Sequence, residues 1–155
     1  MKLTQFHVRE YKSIHDSNPI PTGDITRLVG KNESGKTSLL KAFYKLNPII
    51  DARGKYDVVD EYPRAEVEDY RQALEKGDRE SATIVEAIFQ LSDAELAMIE
   101  KSLGKGVLPV PEFVISKNYD DHRTVSMKVD EVIAGKALIA ESGLEPIFLP
   151  RNGSR

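Results

Sequence analysis

The chain has 155 residues, 40% of them hydrophobic and 30% charged, with a formal net charge of −3. This is the composition of one globular domain, large enough to bury a core without covalent staples, and it lacks the basic excess that marks nucleic-acid binding. There is no cysteine, which excludes disulfides and thiolate metal sites; His7, His15 and His122 are too scattered for a zinc site, and neither a signal-peptide run nor a membrane-spanning stretch is visible, so a cytoplasmic protein is expected.

In chain order, Leu3 to Tyr11 reads as a strand, with Phe6 and Val8 alternating against Gln5, His7 and Arg9. Turn signals at residues 16–19 and 21–24 flank a short extended piece. Ile25 to Val29 reads as a short, buried strand. Thr37 to Leu46 reads as a helix with Leu39, Leu40, Phe43 and Leu46 on one face, stopped by Pro48. Residues 51–63 are polar and irregular, and read as a surface loop. Ala65 to Lys76 predicts a helix with Val67, Tyr70, Ala73 and Leu74 on one side and Gly77 at its end. Ala82 to Leu91 is rich in strand-forming residues. Ser92 and Glu95 form a capping box for a helix through Leu96, Ile99 and Leu103 to Gly104. Glu112–Lys117 and Thr124–Val129 predict two strands joined around residues 118–122. Asp130 caps a last helix to Ser142, with Gly143 beyond it.

Between the second strand and the first helix lies Gly30-Lys31-Asn32-Glu33-Ser34-Gly35-Lys36-Thr37, which fits G-x-x-x-x-G-K-[ST]. Strand, glycine loop and helix is the context that motif requires. Gly30 and Gly35 let the backbone curl with its N–H groups inward, where a Cβ would obstruct the curl or the phosphate. The helix start adds unpaired N–H groups and the positive end of its dipole. Lys36 would reach the β- and γ-phosphates and is the candidate catalytic residue. The Thr37 hydroxyl would ligate Mg²⁺. Residues 30–37 with Ser38 therefore form the candidate nucleotide-binding segment. The competing reading is a glycine turn at the start of an ordinary helix.

Leu3 to Ile14, with Glu10-Tyr11-Lys12-Ser13-Ile14 at its end, resembles the opening strand and signature of RecF-like and chromosome-maintenance ATPases. The segment Leu28 to Leu40 looks like their phosphate loop. It is most similar to the N-E-S-G-K-T form of AAA-type ATPases related to the overcoming-lysogenization-defect (OLD) nucleases, and Asp60-Glu61-Tyr62-Pro63-Arg64 resembles that branch as well. The resemblance covers residues 1–130 and rests mainly on the first 45. It implies an α/β P-loop NTPase fold: the N-terminal lobe of an ABC-type ATPase head with an antiparallel β part over residues 1–130, then a short helix and tail over 131–155. It further implies ATP and Mg²⁺ as ligands, Lys12 and Ser13 beside the base or phosphates, and a homodimer sandwiching nucleotide. DNA is the implied partner, in repair or anti-phage defence. Glu33 replaces the glycine of the commoner N-G-S-G-K form, and its carboxylate is expected to point away from the phosphates.

Hydrolysis in such proteins needs an apolar strand ending in an acid that orients water. The nearest string, Ala137-Leu138-Ile139-Ala140-Glu141, is alanine-rich, follows a helix cap and reads as helix. Ser142-Gly143 is followed by Leu144 rather than by a second glycine, so no signature loop is visible. The expectation is the N-terminal lobe of a longer ATPase. A nucleotide-binding or dimerising remnant without catalysis is the alternative. A GTPase would need Asn-Lys-x-Asp, against Lys117-Asn118-Tyr119-Asp120 here, and a nucleotide kinase would need an arginine-rich lid.

Overall fold

The computed structural model describes residues 1–31 and 35–142. They divide into two compact units, residues 1–90 with 112–127, and residues 91–111 with 128–142.

The first unit is built on a six-stranded antiparallel sheet. Its long strand β1 (Lys2–Tyr11) carries two short strands along one edge, β2 (Ile14–Asp16) and β3 (Ile20–Pro21). The other edge of β1 pairs with β4 (Thr83–Gln90), which is followed across the sheet by β5 (Glu112–Asn118) and β6 (Arg123–Met127). Register sets the faces. Phe6 lies opposite Ala87 and Val8 opposite Val85, while Ala87 in turn meets Ile115. These apolar side chains join one core with Leu39, Ala42 and Leu46 of helix α1 (Lys36–Leu46), and Phe43 packs its ring 4.8 Å from that of Phe6. The neighbouring positions of β1 are polar. His7 Nε2 lies 2.6 Å from Asp16 Oδ1, and Arg9 donates to Glu86 at 2.8 Å. One face packs and the other carries charge, as antiparallel sheets allow.

Two expectations from the sequence fail here. Residues 51–63 are not a surface loop: they hold a 3₁₀ turn at Asp51–Arg53 and the short helix α2 (Val58–Glu61), and Tyr56, Glu61 and Tyr62 are buried. Their polar composition concealed the fact that the tyrosines are the part facing inward. Tyr62 stacks on Tyr70 of α3 (Val67–Lys76) at 4.1 Å between ring centroids, and Tyr119 packs against both. Ile25 to Val29 is not a buried strand either: Ile25 is 80% exposed and Val29 92% exposed. A strand needs a neighbour to take its backbone hydrogen bonds, and no described strand pairs with this segment.

In the second unit, α4 (Asp93–Leu103) starts at the Ser92–Glu95 capping box and packs on α5 (Glu131–Ser142). Gly104 ends α4 at φ 97°, with a Cβ there lying only 2.9 Å from Ile133 Cγ2, so this crossing requires glycine. Asp130 Oδ1 accepts from the Val132 and Ile133 amides and starts α5. Residues 137–141 lie inside α5 and Glu141 is exposed, in keeping with the helical reading of that string. Among the described residues no helix is long and apolar enough to cross a membrane.

Candidate functional site

Gly30, Gly35 and Lys36 of the glycine segment border a cleft of about 680 Å³ in the first unit. One wall is the chain that turns back from β1, Ser13 to Ser17; the other is Arg27 to Gly30 with Gly35 and Lys36. Helix α1 opens this second wall. Its N-cap is Gly35, at φ 78°, with no side-chain cap and no acidic residue in the first turn. The helix start thus presents amide hydrogens and dipole without a carboxylate of its own to occupy them. A Cβ on Gly35 would stand 3.4 Å from Ile14 Cγ1 and 3.5 Å from Ser13 Oγ, so the two walls meet across this glycine.

Lys36 folds its amine onto the loop, donating to Gly30 O at 2.6 Å and to Lys31 O. This holds the cation at the loop rather than out in solvent. Thr37 is exposed and Ser38 partly so, both in the first turn of α1. Gly30 and Lys31 are exposed. Asn32, Glu33 and Ser34 lie outside the described residues. Of the two residues expected from the β1 end, Ser13 lines the cleft, while Lys12 turns its amine toward Glu61, 3.9 Å from Oε1.

Sequence reasoning did not single out Ile14, His15, Asp16, Ser17, Arg27 and Leu28, which complete the cleft. Ile14 to Ser17 are there because β2 folds straight back on β1, Tyr11 opposite Ile14 and Arg9 opposite Asp16. The turn signal at 16–19 lay one strand too late to show it. Asp16 is the one carboxylate among the described cleft residues. Its hydrogen bond to His7, then the Asn18 amide, hold its carboxyl below the usual carboxylate range. It is an anchored wall residue. Among the described residues no group of three or more acidic or histidine side chains is placed to hold a metal ion.

An anion fits the described part of the site: a carboxylate-free helix start, a glycine in the left-handed region, a lysine amine at the loop and two hydroxyls in the first turn. The family model for the AAA ATPase domain matches residues 1–133. No curated protein sequence matches the chain.

Proposed function

The chain belongs to the AAA ATPase domain family, and on that premise we propose that it binds ATP with the triphosphate at residues 30–38 and the nucleoside in the cleft beside Ser13 to Ser17. The observation that carries this is the meeting of Gly35, Lys36 and a start of α1 without a side-chain cap at a cleft of about 680 Å³. Loop and first-turn N–H groups would take the phosphate oxygens. Lys36 would exchange the Gly30 and Lys31 carbonyls for β- and γ-phosphate oxygens, where a fixed cation offsets the phosphate charge. The Thr37 hydroxyl would hold Mg²⁺, which when bound neutralises charge shared by those phosphates.

The finer reading is a P-loop NTPase lobe of the RecF/OLD-like kind, forming a nucleotide-sandwiching homodimer and serving DNA repair or defence. It is supported by the residues of the β1 end and the glycine loop, Glu10 to Ile14 and Leu28 to Leu40. The described cleft accounts for binding better than for turnover. Its one carboxylate, Asp16, is occupied by His7 and the Asn18 amide, and Glu141 is helical. Binding without hydrolysis is therefore the expected behaviour of this chain by itself.

Calorimetric titration with ATP, with and without Mg²⁺, tests the proposal. Lys36→Ala should lose nucleotide binding while the fold persists; unchanged affinity would remove the site assignment. Thr37→Ala should weaken binding only when Mg²⁺ is present, and an equal loss in EDTA would argue against a metal ligand. Phosphate release abolished by Lys36→Ala would show turnover and direct attention to Glu141.

A further inference from the structure

Glu61 is buried, with 8% of its surface exposed, outside the cleft just described. A buried carboxylate costs several kcal/mol unless its oxygens are matched. This one is matched by groups from separate elements. Oε1 accepts from the Tyr11 hydroxyl at 2.8 Å, at the end of β1. Oε2 accepts from Lys45 Nζ at 2.5 Å, in the last turn of α1, and from the Asp57 amide at 3.2 Å. The backbone joins in: Lys12 N donates to Glu61 O at 2.6 Å.

Both elements that Glu61 grips lead to a wall of the cleft. Tyr11 and Lys12 immediately precede Ser13 and Ile14, which meet Gly35. Lys45 sits in the same rigid helix as Lys36, about 13 Å along its axis at 1.5 Å per residue. The chain at the β1 end is also held against its own preference. Glu10 and Lys12 lie at φ 47° and φ 56°, a region that costs side-chain-bearing residues about 1 kcal/mol or more and persists only where the surroundings enforce it. Tyr119 donates to Glu10 O at 2.6 Å, and Arg79 pairs with the Glu10 carboxylate at 2.7 Å, fixing the first of these positions. The Glu61 main-chain carbonyl holds the second.

We propose that Glu61 is a positioning residue of the nucleotide site, clamping the Lys12–Ile14 turn to the helix that begins at Lys36 and so setting the width of the cleft that receives the nucleoside. This rests on the ATP-binding reading. Its consequence is selective. A bare triphosphate would need only the loop and the start of α1, whereas ATP needs both walls at the right separation. Loss of the clamp should lower affinity for ATP while sparing inorganic tripolyphosphate.

The experiment compares ATP and tripolyphosphate affinities in wild type, Glu61→Gln and Tyr11→Phe by calorimetry, with circular dichroism on each variant. Glu61→Gln keeps the shape but removes the charge opposite Lys45. Tyr11→Phe leaves that ion pair intact and cuts only the side-chain tie to β1, so it decides the matter if the first variant does not fold. The expected result is about a tenfold loss for ATP, the scale of one charge-assisted hydrogen bond, with tripolyphosphate within about twofold of wild type. Equal losses for both ligands, or no loss in either folded variant, would overturn the positioning role alone. Wild-type protein that bound neither ligand would overturn the nucleotide reading and the positioning role with it.

Discussion

Gly35 concentrates the geometry of the site in one residue. At φ 78° it occupies the left-handed region, beside Ser13 and Ile14 of the opposite wall. Contacts of 3.4 and 3.5 Å leave room for a methyl group, so the cost of Gly35→Ala is mainly conformational, about 1 kcal/mol of stability. The effect on binding should be larger than the effect on folding, because relaxing the strain rotates the amides at the start of α1. Denaturant unfolding beside ATP titration separates the two, and an unchanged ATP affinity would mean that the backbone at residue 35 does not shape the site. Gly35 was legible in the sequence because its signal is local, a glycine at fixed spacing before Lys36. Glu61 was not, because what makes it matter is a hydroxyl fifty positions away and an amine sixteen away. A lone glutamate in a polar stretch reads as solvated surface until the fold brings those partners to it.

Periodicity and caps are local in the same sense, and the elements they specify were readable: β1, α1, α3, β4, α4, the β5–β6 pair and α5 all lie within a few residues of their sequence expectations. Ile25 to Val29 shows the limit. Its residues favour a strand, but a strand forms only between neighbours, and none of the described strands reaches it. The start of α4 shows the opposite case, a boundary set by side chains within four residues of one another. Ser92 Oγ accepts from the Glu95 amide, and Glu95 Oε2 accepts from the Ser92 amide at 2.9 Å. Ser92→Ala should therefore cost about 1 kcal/mol and Ser92→Gly only a few tenths. Since α4 contains no fully buried residue, the loss should appear first as faster hydrogen exchange in its opening turns, read by mass spectrometry. Equal exchange in wild type and Ser92→Ala would mean that packing, not the cap, fixes this end.

Across the first unit, tyrosines do much of the work that aliphatic residues do in other cores. Tyr11, Tyr56, Tyr62, Tyr70 and Tyr119 are buried and tie β1, the 51–63 segment, α3 and the chain after β5 into one cluster. Their hydroxyls are all matched: Tyr56 donates to Ala42 O at 2.7 Å and Tyr11 to Glu61 at 2.8 Å, Tyr119 binds Glu10 O, Tyr70 accepts from the Ala82 amide and Tyr62 from Arg79. Packing of this kind favours the neutral form of Tyr11, Tyr56, Tyr62 and Tyr119. Burial, reinforced by the charge of Glu10, pushes Tyr62 up to about 12 from an ordinary 10. Burial is also the first cause that raises Tyr11, Tyr56 and Tyr119, with Glu61 adding to each. The unfolded chain would release these protons near pH 10 while the folded one retains them. Unfolding therefore releases protons in this range, and stability, complete below pH 10, falls as pH rises from 10 toward 12 and beyond. Denaturant midpoints should drop across that window, and phenolate absorbance should rise together with loss of the far-ultraviolet signal. Phenolate absorbance rising as for free tyrosine, half complete near pH 10, with secondary structure intact would mean that the cluster admits water and that Glu61 is not held in a closed core.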